Sequence, residues 1–315
     1  MSRPFHSRLP LSRSEIDRDH RTRRGDLPAL IAEPATRAIV LHEGRALLAA
    51  EDELAILPAA SIDHVDAIYL GRARADTPGL PAGAAVVALI VDDAQAAGLT
   101  GPAPVEGAWG DLRRIGHRLG TRDAGLFTQA LALANWHQAY GFSPRTGVAT
   151  QAAAAGWTRV DPEGREVFPR TDAAIIVGVT DAADRLLLGS NALWEENRFS
   201  LLAGFVEPGE SLESAVIREV HEESGLTVAD PVYLGSQPWP FPASLMVGFR
   251  AHVPEGAATE PDPDGEEIRA LRWFTRDELR AAAVSSEVLL PGPTSIARAI
   301  VEDWFGDEIP DGSRA

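Results

Sequence analysis

The chain has 315 residues, enough for two domains with real cores, and sets 46 acidic against 29 basic side chains for a formal charge of −17. That balance argues against a sequence-independent nucleic-acid binder, which needs a basic surface. Cysteine and lysine are both absent, which excludes disulfides, thiolate chemistry, Cys-bound zinc and any lysine base, so anionic groups must be met by Arg, backbone N–H or metal.

In chain order, residues 1–26 are polar and Arg-rich and read as an arm with little regular structure. They lack the apolar run of a signal peptide. No stretch is apolar enough to span a bilayer, so a soluble cytoplasmic protein is the default expectation. Residues 27–124 hold short apolar runs at Ala29–Ala32, Ala38–His42, Ala46–Ala49, Leu54–Leu57, Ala67–Leu70 and Ala84–Val91, separated by Gly, Pro and Asp. This spacing predicts a small β-rich domain. His42 and His64 there read as ordinary surface or packing residues.

A helical zone begins at Leu112-Arg113-Arg114, and Gly125–Tyr140 has strong helix formers at helical spacing. Its Trp136 and His137 read as structural. Residues 125–170 thus combine a linker helix with a turn-rich hairpin module. From residue 171 to 307 strands are expected at Ala173–Val179, Arg185–Leu188, Phe199–Ala203, Pro231–Ser236, Ser244–Val253 and Ile268–Phe274. Helices are expected near Arg276–Ala283 and Ser295–Trp304, with a tail at 308–315. Strands on both sides of a central helix, with helices at the end, suit an α/β/α sandwich with a mixed sheet.

The central helix lies in GFVEPGESLESAVIREVHEESGL, residues 204–226. Gly204, Pro208 and Gly209 break structure ahead of it, Ser211 caps its start, and Gly225 sits at a left-handed end. Leu212, Ala215, Val216 and Val220 form a core-facing stripe. Glu219, Glu222 and Glu223 are related by i, i+3 and i+4 and project from one side. Like charges so placed cost an isolated helix roughly 0.2–0.5 kcal/mol per pair. A cation should offset that, and hard oxygen ligands suit Mg²⁺ or Mn²⁺. Arg218, two turns after Glu210, is placed to brace the preceding loop. The bland alternative, a solvated acidic face, does not call for two glycines, an arginine, four glutamates and two apolar positions at fixed spacing.

Downstream lies Ser236-Gln237-Pro238-Trp239-Pro240-Phe241-Pro242-Ala243-Ser244. Three prolines in nine residues predict a stiff, extended loop rather than a strand. Such a loop holds Trp239 and Phe241 with little entropy left to lose on binding, and flat rings suit adenine or nicotinamide. Gln237 and Ser244 add hydrogen bonds. A structural proline loop with buried aromatics is the competing reading.

The glutamate stretch matches the signature G-x5-E-x7-R-E-U-x-E-E-x-G-U, with U aliphatic, and so resembles the Nudix hydrolases. The loop SQPWPFPxS after it resembles the NADH pyrophosphatase subfamily. Together the two motifs cover most of residues 200–245, with fainter similarity from about Arg113 to Phe305. The resemblance implies the Nudix fold and metal-dependent hydrolysis of NAD(H) to nicotinamide mononucleotide and AMP. It implies a homodimer whose loops complete each other's site, and a second activity that removes NAD caps from RNA, which the acidic balance does not favour. Residue by residue, it implies metal ligands at Glu219, Glu222, Glu223, Glu267 and the Ala203 carbonyl, with Glu266 the confounder of Glu267. Arg218 joins the catalytic set. Substrate contacts fall to the stretch Gln237, Pro238, Trp239, Pro240, Phe241, Pro242, Ala243 and Ser244, and to Ala297, Phe168, Phe205 and Arg113. One departure is clear: where the family has a four-cysteine zinc ribbon, this chain has Ser143, Thr146, Val160 and Glu163. The ribbon shape is then expected to be held by Phe142, Trp157, Val160 and Phe168, without zinc. Alternatives are a hydrolase of ADP-ribose or a flavin dinucleotide, or a silent nucleotide sensor, which the intact glutamates oppose.

Overall fold

The computed structural model describes residues 4–99 and 109–310. The tail expected at 308–315 falls mostly outside those residues. Among the described residues the chain divides into two compact units. One is Leu11–Thr171 with Trp239–Ala243; the other joins the stretch up to Pro10, Asp172–Pro238 and the stretch from Ser244.

The first unit is built on a mixed sheet of β1 (Ile16–Asp17), β2 (Arg37–His42), β3 (Arg45–Ala50), β4 (Glu53–Leu54), β5 (Leu57–Pro58), β6 (Asp66–Ala73), β7 (Ala85–Ile90) and β8 (Trp109–Gly110). Its main path is β1-β6-β7-β2-β3-β4, with β5 on β2 and β8 on β3. Four helices accompany it: α1 (Leu27–Ala32), α2 (Asp93–Leu99), α3 (Leu112–Ile115) and α4 (Thr121–Ala139). Alternation sorts the strands: Ile39, Leu41, Ile68 and Leu70 pack with Phe127, Ala130 and Leu131 of α4, while Ala38, Tyr69, Val87 and Leu89 pack with Leu30 and Ile31 of α1.

Two expectations are corrected here. Residues 29–32 are helical, because Asp26 caps the Ala29 N–H at 3.2 Å and Pro28 sits in the first turn, where a missing N–H costs nothing. The N-terminal stretch is not a loose arm. It holds 3-10 turns and strand β1, and Leu9, Leu11 and Ile16 are buried. Leu9 and Phe5 belong to the second unit's core, and the Arg8 guanidinium donates to Ala299 O at 3.0 Å.

A three-stranded ribbon, β9 (Gln151–Ala153), β10 (Thr158–Val160) and β11 (Glu166–Val167), closes the first unit. Phe142 and Phe168 are exposed there and do not hold it together. Polar turns do. The buried Asp161 carboxylate accepts from the N–H groups of Glu163 and Arg165 at 3.0 and 2.9 Å, and from Arg165 Nε at 2.7 Å. Arg159 reaches Thr150 Oγ1 and O, each at 2.7 Å, and His137 Nδ1 at 2.9 Å. Trp157 donates to Tyr69 O at 2.7 Å.

The second unit is a six-stranded mixed sheet of β12 (Asp172–Thr180), β13 (Leu186–Asn191), β14 (Leu202–Phe205), β15 (Ala229–Trp239), β16 (Ser244–His252) and β17 (Ile268–Phe274). The order is β15-β16-β12-β13-β17, with β14 on β12, and β12 runs parallel to β16. One face packs Ile175, Val177 and Val179 against Ala215, Val216 and Val220 of α5 (Leu212–Ser224). The other packs Ile176, Leu186 and Leu188 against α6 (Arg276–Val284) and α7 (Ile296–Phe305). This is the expected α/β/α sandwich.

The two sheets share one plan. The order β6-β7-β2-β3 repeats β15-β16-β12-β13, and each has one parallel pair, β2 with β7 and β12 with β16. The additions correspond as well: β5 lies on β2 as β14 on β12, and β8 on β3 as β17 on β13. They differ between β5 and β6, where the first unit has only a 3-10 turn, Ala59–Ser61; the second places α5 between β14 and β15. The first unit therefore keeps the sheet without the glutamate helix.

Candidate active site

α5 starts at Ser211, whose hydroxyl accepts the Ser214 N–H at 3.1 Å, and ends at Gly225 with φ +68°. Ahead of it, the Glu207 N–H donates to Glu210 Oε2 at 3.0 Å, tightening the loop. Arg218 organises this loop. Its Nε and Nη2 take Glu210 as a fork at 2.8 and 2.9 Å, and Nη2 also donates to Phe205 O at 3.0 Å. Nη1 is shared between Glu219 at 2.8 Å and Glu222 at 2.9 Å. The Arg218 fork holds the Glu210 carboxyl down at about 2.

The three helix glutamates do not share one environment. Glu222 is 58 % exposed and turned to Arg218. Glu219 lies against Gly204, where any Cβ would overlap its carboxylate. Glu223 is 4 % exposed. Burial, then the charges of Glu219, Glu267 and Asp264, push its carboxyl up to about 8, against the pull of the Ala203 N–H. Burial also raises Glu219. Among the described residues, Glu223 Oε2 has no hydrogen-bond partner. A buried carboxylate oxygen without a partner, next to further carboxylates, is the environment a divalent cation would satisfy. The donor set is all oxygen, which fits a hard metal.

Glu267 joins this cluster from the segment before β17. Its charge acts on both Glu219 and Glu223. Its placement depends on Asp264, whose Oδ1 accepts from the N–H groups of Glu266, Glu267 and Ile268 at 3.0, 3.0 and 2.8 Å. Sequence reasoning missed Asp264. The signal was an Asp followed by Gly and two acids, a side chain set to bind its own backbone.

The expected substrate contacts divide. Trp239 and Phe241 meet edge to face, centroids 4.8 Å apart, and both pack on the first unit's core. Arg113 lies over Phe241 at 4.4 Å and over Trp239 at 5.8 Å. Pro240 is buried, while Pro242 is exposed and Ala243 and Ser244 are half-buried. Strand β15 runs through Gln237 and Pro238 to Trp239, so the stretch is not loop throughout. Gln237 is fully buried and donates to Thr294 O at 3.0 Å. That bond ties β15 to the residues before α7, so the side chain expected as a substrate contact is engaged within the second unit. Ala297 is likewise buried, its N–H held by the Ser295 cap. Phe205 and Phe168 are 60 % and 64 % exposed, free to meet a ring. On the first unit's surface, His42, Glu43 and Asp93 bring ligand atoms within 4.8 Å of one another, a polar patch without a buried unpaired group.

The NUDIX domain family matches residues 169–290, and the NADH pyrophosphatase-like rudimentary NUDIX domain matches residues 35–136. The second description agrees with a sheet that lacks the glutamate helix. The "NAD-capped RNA hydrolase NudC" of Mycobacterium bovis is 43 % identical over 295 residues, covering 89 % of this chain and 87 % of that protein. The protein of the same name in Mycobacterium tuberculosis matches equally, 43 % over 295 residues. The human "NAD-capped RNA hydrolase NUDT12" is 34 % identical over 201 residues, 60 % of this chain and 43 % of that protein.

The chain belongs to the Nudix hydrolases, in the branch that joins a NADH pyrophosphatase-like domain to a catalytic NUDIX domain. Enzymes of this family use divalent metals, in keeping with the carboxylate cluster.

Proposed function

We propose that this enzyme hydrolyses the pyrophosphate of NAD(H), giving nicotinamide mononucleotide (oxidised or reduced) and AMP, and that it removes NAD caps from RNA. The carrying observation is the unpartnered, buried Glu223 oxygen beside Glu219 and Glu267. The activity for which the mycobacterial relatives are named supports the capped substrate. The net charge of −17 is a sum over the whole chain and does not describe the surface an RNA end would meet.

Glu219, Glu222, Glu223, Glu267 and the Ala203 carbonyl would hold Mg²⁺ or Mn²⁺. Such a metal, when bound, neutralises pyrophosphate charge and lowers the pKa of a bound water. Arg218 braces the loop that carries Glu210 and pairs with Glu219, and so fixes where the Glu219 carboxylate stands. Water adds across one P–O bond of the bridge; its oxygen joins one phosphorus, and the bridging oxygen leaves on the other. Trp239, Phe241, Phe205, Phe168 and Arg113 are read as contacts to the ends of the dinucleotide. A homodimer, a cytoplasmic setting and a ribbon without zinc complete the proposal. They rest on the subfamily resemblance and on the absence of cysteine.

The test is direct. The purified chain is incubated with Mg²⁺ or Mn²⁺ and NAD⁺, NADH, ADP-ribose, a flavin dinucleotide or NAD-capped RNA, and products are resolved by chromatography. Nicotinamide mononucleotide with AMP, or with 5′-monophosphate RNA, is expected. Turnover of ADP-ribose alone would reject the substrate assignment.

A further inference from the structure

The aromatic loop is poor in hydrogen-bond donors of its own. Pro238, Pro240 and Pro242 have no N–H. Within the loop, the Phe241 N–H donates to Trp239 O at 2.7 Å. The loop's other carbonyls need a donor from elsewhere, and α4 supplies it. Asn135 Nδ2 lies 2.9 Å from Pro240 O and 3.5 Å from Pro242 O. These two carbonyls bracket Phe241, whose ring is covered by Arg113 from α3 at 4.4 Å. Both partners of Asn135 are acceptors, so its amide nitrogen must face them. Asparagine is a poorer helix former than alanine or leucine, yet it interrupts Ala132-Leu133-Ala134 ahead of Trp136. Its side chain, not its helix propensity, is what the position uses.

We propose that Asn135 is a positioning residue for substrate choice: its amide holds the Trp239–Phe241 loop in the form that receives one end of the dinucleotide. The inference rests on the reading of that loop as a substrate platform. Aspartate is the sharp probe. It is nearly the same shape, but as a carboxylate it has no donor, and it would set a negative charge against two carbonyl oxygens. Glutamine keeps the donor.

The experiment compares wild type, Asn135→Asp, Asn135→Gln and Trp239→Ala as full-length proteins. Each is assayed for kcat and KM with NAD⁺ and with ADP-ribose, alongside thermal melting and amide exchange of the Trp239, Phe241 and Ala243 N–H groups. For Asn135→Asp, KM for NAD⁺ should rise about three- to tenfold, the worth of one lost hydrogen bond. kcat should change less, the NAD⁺ to ADP-ribose ratio of kcat/KM should fall, and loop amides should exchange faster. Asn135→Gln should stay nearer wild type. An unchanged ratio in Asn135→Asp, while Trp239→Ala shifts it, would overturn the inference and spare the platform. An equal loss on both substrates with a lower melting temperature would reduce Asn135 to a structural role. If Trp239→Ala also leaves the ratio unchanged, the platform reading fails and takes the inference with it.

Discussion

Replacing Gly204 by alanine should separate catalysis from folding. Gly204 sits on β14, paired with Ile175 of β12, and its backbone lies outside the left-handed region, so alanine brings no backbone strain. The added Cβ would overlap the Glu219 carboxylate. That obstacle is the far end of a side chain, so the carboxylate gives way and the strand stays. Restoring ordinary contact takes a shift of at least about 1.4 Å, at the expense of the 2.8 Å pair with Arg218 Nη1. A catalytic group misplaced by about 1 Å costs on the order of 10²-fold in rate. The thermal melt should move little, since no buried apolar group is lost and most substitutions of this kind stay near 1 kcal/mol. The assay is kcat/KM on NAD⁺ at saturating Mn²⁺, with melting followed in parallel. Gly292→Ala, where a Cβ meets nothing within 4 Å, is the control. A folded Gly204→Ala enzyme within about threefold of wild-type kcat/KM would refute the placement of Glu219 in the catalytic set.

Other outcomes follow from the same contacts. Glu223→Gln should remove most activity, leave the fold intact and abolish much of the melting-temperature gain that Mn²⁺ gives the wild type, because ligand binding stabilises by mass action; near-normal turnover would contradict it. Asp161→Ala should speed amide exchange across residues 158–168, while a zinc chelator should leave the wild-type melt unchanged; stoichiometric zinc by elemental analysis would contradict the second part. Asp19 is held at about 2 by the Thr22 hydroxyl first, then Tyr69 and Arg72. Its folded pKa is depressed, so its stabilisation is present above its ordinary value of 3.8 and fades as pH falls through about 2. Asp19→Asn should therefore melt lower than wild type at pH 7, with the gap closing between pH 4 and pH 2; a constant gap would reject the assignment.

Much of the second unit was legible because its signals are local. Ser211 and Gly225 bound α5 where cap chemistry places them, and Ile268–Phe274 forms the strand that its apolar and aromatic residues predict. Residues 29–32 misled because four apolar residues have no clear period. The deciding features, Pro28 and the Asp26 cap, lie just ahead of them. The N-terminal stretch misled for another reason. Its polar composition hides Leu9, Leu11 and Ile16, spaced apart and buried one at a time by distant partners.

The acidic helix shows where the two levels part. The order of residues alone determined that Glu219, Glu222 and Glu223 stand on one α-helix, that Arg218 can reach back to Glu210, and that no thiol is present to bind zinc. These follow from helical geometry and composition, which need no partner. Only tertiary structure decided that Glu223 is buried with an unpartnered oxygen while Glu222 faces solvent, that Gly204 leaves room for the Glu219 carboxylate, and that Asp264 presents Glu267. It also decided that Gln237 bonds to Thr294 and that Asn135 holds a loop more than a hundred residues away. The physical reason is desolvation. Whether a carboxylate or amide is costly, inert or poised depends on which atoms replace its water, and those atoms come from strands and loops far apart in the chain.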